Sequence, residues 1–118
     1  MDGQLLPVVL PQLFGSRTHF NSLSWKPFRR GIEIFMIYGN LAEGASAALL
    51  RYQAGARLPR HQHRGHEHIL ILEGEQTDER GTYVKGTLVV NLPESLHEVS
   101  SQSGCVALVI WEKPVRFV

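Results

Sequence analysis

Four histidines and a glutamate crowd into one short window, His61-Gln62-His63-Arg64-Gly65-His66-Glu67-His68, and a further histidine, His97, follows downstream. Neutral imidazole nitrogens with one carboxylate form a donor set suited to a borderline divalent cation such as zinc, iron, nickel or manganese. Alternate residues of a strand share a face, so His61, His63 and Glu67 fall on one side and His66 and His68 on the other. Gly65 can add a bulge or turn that loosens this parity. His61 and His63, spaced i, i+2, can converge on one ion, and His97 would join them from a later strand. By themselves, His61 and His63 fit a solvated strand edge equally well. The spacing further out decides between a metal site and a polar cluster.

The elements that must carry these residues read as β-strands. Apolar residues come in short runs separated by Gly, Pro, Asn and Asp, with no long stretch repeating at helical spacing. Strands are predicted at Ile32 to Tyr38, Ser46 to Tyr52, His66 to Leu72, Thr87 to Asn91 and Val106 to Trp111, with weaker segments at Gln76 to Asp78 and His97 to Ser100. Gly39-Asn40, Ala54-Gly55, Glu79-Arg80-Gly81, Lys85-Gly86, Pro93 and Ser103-Gly104 supply turns between them. Short strands at this spacing favour an all-β sandwich or barrel. Residues 1–23 fit the pattern less well and are expected to form an extended arm that packs on the barrel or on a second subunit, leaving residues 24–118 as the domain.

Composition narrows the function classes. A chain of 118 residues suffices for one domain with a real core, and 43% hydrophobic with 19% charged residues is a globular balance. The net charge is +1 and Arg29-Arg30 is the only adjacent basic pair, so nucleic-acid binding is not supported. A single cysteine, Cys105, excludes an intrachain disulfide framework and fits a reducing compartment, the cytoplasm. The start, MDGQLLPVVLPQLFG, carries Asp2 where a signal peptide carries positive charge and is broken by Pro7 and Pro11. No apolar run approaches the ~20 residues needed to span a bilayer.

The outer spacing carries a resemblance. Gly55, five residues, His61-x-His63, three residues, Glu67, six residues and Gly74 reproduce the first cupin motif without a gap. In the second motif Gly86 and His97 have the expected separation, but Pro93 falls one place late, Ser95 stands near the expected glycine and Ser101 occupies the asparagine position. Trp25-Lys26-Pro27-Phe28-x-x-Gly31, Leu50-Arg51-Tyr52-x-x-Gly55, Leu72-Glu73-Gly74, Asp78-Glu79-Arg80-Gly81 and Ser103-Gly104-Cys105 complete a set similar to the ChrR-like cupins, over roughly residues 24 to 112. The resemblance implies a single small cupin barrel, a double-stranded β-helix or jelly roll, with His61, His63, Glu67 and His97 as zinc ligands. It resembles the zinc-binding sensor half of the ChrR anti-sigma factors alone, because the segment before Trp25 is too short for the helical domain that grips a sigma factor. By analogy with the fold, a homodimer is expected.

Other residues are read more plainly. His66 and His68 are expected near the ligands or at the surface, with a substituted ligand at His66 as the alternative. Glu94 or Glu98 could orient a ligand histidine or simply be solvated. Cys105 is expected to behave as a small buried hydrophobe, and Tyr38, Tyr52 and Trp111 as core aromatics. Two functions then stand open. One is a zinc sensor or small-ligand-binding module whose four ligands close a tetrahedron. The other is a metalloenzyme, of dioxygenase or isomerase type, holding iron, manganese or nickel with open positions.

Overall fold

The computed structural model describes residues 5–118; the first four residues of the arm, including Asp2, lie outside them. After a short 3₁₀ helix, Arg17–Ser22, come ten strands: β1 (Lys26–Arg29), β2 (Ile32–Tyr38), β3 (Ser46–Tyr52), β4 (Ala56–Gln62), β5 (Glu67–Asp78), β6 (Gly81–Val84), β7 (Leu88–Asn91), β8 (Leu96–Ser101), β9 (Cys105–Trp111) and β10 (Arg116–Phe117). The fold is all-β as expected, and β2 and β3 match their predicted bounds. The two segments predicted at His66 to Leu72 and Gln76 to Asp78 are one strand, because Gly74 adopts φ +78 and lets the chain bend without stopping. Strands β1, β4, β6 and β10 were not foreseen: β1 and β4 each contain a proline, and β6 and β10 are short. Among the described residues no helix is long and apolar enough to cross a membrane.

The hydrogen-bonded order is β1-β2-β3-β9-β5-β8-β4-β10, with β6 and β7 also on β5. All pairings are antiparallel. The first half of β5 lies between β9 and β7, whereas its second half pairs with β6 and touches β8, so one strand belongs to both layers of the curled sheet. The main core sits between the layers, with Ile34, Leu50, Ile71 and Val109 facing Leu58 and Val99. A second cluster lies on the outer face, where Leu49, Leu72 and Val106 are covered by Phe20 of the 3₁₀ helix and by Leu10, Leu13 and Leu23. The arm therefore packs on its own barrel over part of its length. This also explains the unbroken apolar run of β3: Ala48, Leu50 and Tyr52 face inward, and Leu49 faces the arm.

Candidate metal centre

His61 faces the barrel interior because β4 breaks register. Leu58 pairs with Val99 and is buried, and a strict alternation would then turn residue 61 outward; the shift between Leu58 and His61 restores it inward. Pro59, with no N–H to give the ladder, sits in this irregular stretch, and its carbonyl accepts a hydrogen bond from His61 Nδ1 at 2.8 Å. Across the ladder His61 stands opposite His97 of β8.

His63 lies one residue past the end of β4, and the segment Arg64–His66 crosses to the other layer, where Glu67 opens β5. The shared side of His61, His63 and Glu67 is therefore set by two strands and a crossing rather than by the parity of one strand. Two features hold that crossing. A Cβ on Gly65 would approach Glu112 Cβ to 2.9 Å, so the backbone passes where only glycine fits, and Glu112 Oε1 accepts from the His66 N–H at 3.0 Å. His63 itself is clamped by the turn at residues 92–95, with its N–H donating to the Ser95 carbonyl and its carbonyl accepting from the Glu94 N–H. The turn before His97, irregular against the cupin pattern, thus has a job of its own here.

Glu67 is flanked across the sheet by Asn91 on β7 and Trp111 on β9. Asn91 Nδ2 donates to Oε1 at 3.0 Å and the Trp111 indole N–H donates to Oε2 at 2.6 Å, which fixes the carboxylate plane. Burial alone would raise the Glu67 pKa, but the His63 ring at hydrogen-bond distance and the positive charge that the three rings carry once protonated bring it below the ordinary glutamate value. For His61, burial dominates and lowers the pKa despite the bond to Pro59 and the nearby carboxylate.

The hydrogen bonds around the rings define which nitrogens point inward. His61 Nδ1 meets a carbonyl, which can only accept. His97 Nδ1 meets Asp78 Oδ2 at 3.1 Å, a carboxylate held by the Arg80 N–H and the Tyr83 hydroxyl. That carboxyl is pushed up by burial but brought net below the ordinary aspartate value by these bonds and by His97. His63 Nδ1 meets Ser95 Oγ at 2.9 Å, and the Ser95 hydroxyl proton is already given to the Leu92 carbonyl at 2.6 Å. Each Nδ1 therefore donates, and each Nε2 presents a lone pair. Nε2 of His61 and His97 lie 3.0 Å apart, and Nε2 of His63 lies 2.8 Å from Glu67 Oε1 without a hydrogen-bond donor of its own.

Acceptor atoms facing one another at this distance repel unless positive charge sits among them. The four ligand atoms all lie within 4.8 Å of one another, and the four residues are buried. A cation about 2.0–2.2 Å from each atom of a tetrahedron would set them roughly 3.3–3.6 Å apart. The residues present thus fit a divalent metal, and the carboxylate would leave a zinc complex with a single net positive charge.

The sequence reading is corrected at Tyr38, whereas His66, His68, Glu94 and Glu98 take the surface positions that it left open for them. His66 is a partly exposed partner of Glu112, at 3.2 Å, and His68 is exposed, so neither joins the cluster. Glu98 pairs with Arg57 at 2.8 Å, and Glu94 is exposed, so neither carboxylate orients a ring of the cluster; Asp78, Ser95 and the Pro59 carbonyl hold the rings. Tyr38 is 51% exposed and is no core aromatic, whereas Tyr52 and Trp111 are buried. Asp78 could have been found: it opens the Asp78-Glu79-Arg80-Gly81 turn, where the Arg80 N–H needs an acceptor two residues back. Cys105 is buried, and burial pushes its thiol up to about 11.

Beside the cluster lies a cavity of about 20 Å3, bounded by His61, Glu67 and His97 and otherwise mainly apolar. Phe28, Trp111, Val115 and Phe117 line both this cavity and an outer pocket of about 390 Å3. Phe117 on β10 stacks at a tilt 5.6 Å from the His61 ring, and the Arg29 guanidinium lies 4.3 Å from the Phe117 ring centroid.

A jelly-roll barrel with three histidines and a glutamate converging at one end defines a cupin carrying a candidate metal site. The model of the ChrR cupin-like domain matches residues 15–114, and the chain belongs to that family. Among solved structures it is similar to the anti-sigma ChrR of Rhodobacter sphaeroides, seen in complex with SigE, at 26% identity and TM-score 0.68, covering 77% of this chain and 49% of that one. A putative acetylacetone dioxygenase from Methylibium petroleiphilum shares the fold at 17% identity and TM-score 0.76, covering 100% and 85%. An RmlC-like cupin from Ralstonia eutropha shares it at 19% identity and TM-score 0.71, covering 80% and 66%. The chain thus spans about half of ChrR and about two thirds of the Ralstonia protein. No curated protein matches it.

Proposed function

We propose that this chain is a sensor-like or small-ligand-binding cupin module that holds one divalent cation, zinc by preference, through His61, His63, Glu67 and His97. The observation that carries the reading is the set of three Nδ1 donors already committed outward, which leaves three Nε2 lone pairs and a carboxylate converging in a buried space. Four such ligands satisfy zinc, which can expand to five when a further ligand arrives. The likeness to an anti-sigma factor over about half of that protein supports a regulatory setting.

A metalloenzyme using iron, manganese or nickel is the second reading, favoured by the cavity against the cluster and by the dioxygenase that shares the fold. There the cation would supply Lewis acidity and open positions. This chain's part would be to hold three rings and one carboxylate rigidly in an apolar surrounding. Titration of chelator-treated protein with zinc, iron(II), manganese and nickel separates the two. Tightest uptake of one zinc per chain supports the module. Iron-selective uptake with oxygen consumption supports the enzyme and overturns the first reading.

A further inference from the structure

Two polar side chains stand in the cavity beside the cluster with no role in holding the ligands. Tyr52 and Gln76 are each 3% exposed, and both line the same small cavity as His61, Glu67 and His97. The remaining walls, among them Leu50, Leu58, Val99 and Val109, are apolar. Among the described residues neither the Tyr52 hydroxyl nor the Gln76 carboxamide hydrogen-bonds to another protein group, and the Cys105 thiol is a polar neighbour of both. A phenol and a carboxamide buried in an apolar wall cost free energy unless something hydrogen-bonds to them. Both can donate, the phenol through Oη and the amide through Nε2.

We propose that this cavity is the pocket for a small ligand of the metal, a molecule of two or three heavy atoms. One end would reach the cation and the other would accept hydrogen bonds from both Tyr52 and Gln76. The inference rests on the metal reading above and names the ligand class. Size sets the scale: about 20 Å3 holds one or two water-sized groups, so beyond the atom on the metal the ligand extends by only one or two heavy atoms. Polarity sets the chemistry, since the metal end is cationic and the far end offers donors. The shared wall of Phe28, Val115 and Phe117 marks the way in from the outer pocket.

Cobalt(II)-loaded protein gives a visible spectrum that reports the metal's coordination, and azide is a suitable triatomic probe. Azide should shift the wild-type spectrum saturably. Tyr52→Phe and Gln76→Met should each weaken azide by about tenfold or more while keeping one cobalt per chain, because a hydrogen bond to a charged ligand is lost. Tyr38→Phe, on the exposed tyrosine, should bind azide as wild type does. No azide shift in the loaded wild type, or azide bound by both cavity variants as tightly as by the wild type, overturns the proposal and leaves the metal site standing. Failure of the wild type to take up cobalt refutes the metal reading and the pocket with it. Should Tyr52→Phe fail to retain cobalt, Gln76→Met decides the same question.

Discussion

Removing the charge of Asp78 should weaken metal binding although Asp78 is not itself a ligand. Its Oδ2 accepts from His97 Nδ1 at 3.1 Å, and its Oδ1 is held by the Arg80 N–H at 2.8 Å and the Tyr83 hydroxyl at 3.1 Å. This side chain is buried, so the bond to His97 is little screened by water. The carboxylate fixes the His97 tautomer with Nε2 free and makes that nitrogen a better donor. Loss of such a partner typically costs 10- to 100-fold in affinity, about 1.4–2.7 kcal/mol. Asp78→Asn keeps the volume and removes the charge, so the expected loss is on the order of tenfold, with Asp78→Ala nearer 100-fold. The assay is competition for zinc against a chromogenic chelator. Glu98→Gln is the matched control, since Glu98 pairs with Arg57 at the surface and should change affinity less than about threefold. Equal losses in Asp78→Asn and Glu98→Gln, or none in either, would refute the reasoning.

Further outcomes follow from the same geometry. Metal ties β4, the start of β5 and β8 together, so at a thousandfold excess over Kd it should add about 4 kcal/mol and raise Tm by roughly 15 °C; an unchanged Tm after chelation would contradict this. In metal-free protein, His61 takes up its proton at lower pH when folded than when unfolded. Its contribution to stability is therefore full above about pH 6.5 and is lost as pH falls through the folded value, so Tm should drop on acidification below that point. Glu67, also lowered, acts in the same direction at more acid pH; thermal melts of chelated protein from pH 8 downward read both, and a Tm that rises would be inconsistent. Cys105, with its thiol pushed up to about 11 by burial, should be about one thousandth thiolate at pH 8 and react with a disulfide reagent only after unfolding. Prompt labelling of the native protein would show that it is not buried.

The candidate metal cluster and the fold class were legible because spacing and residue type carry them. His61, His63, Glu67 and His97 keep the separation that a jelly roll brings to one end, and turn residues punctuated short apolar runs. What escaped the sequence depends on pairing across strands. Strand β4 was hidden by Pro59 and its charged neighbours, since its stability comes from β8 and β10 rather than from its own propensity. Asn91 and Trp111 touch Glu67 only because register places them beside it. Ser95 reaches His63 through a turn that departs from the family pattern, and Asp78 arrives opposite His97 by way of the β5–β6 hairpin. Glu98, which pairs with Arg57, and Glu94, which is exposed in the turn before β8, take the solvated role that the sequence also allowed them.

Elemental analysis of protein purified without an affinity tag or added metal tests the central claim most directly, run beside His61→Ala and His97→Ala. The account expects close to one divalent metal ion per wild-type chain, zinc foremost, and far less in either variant. No metal in the wild type, with none taken up on addition, or equal metal in all three proteins, would contradict it.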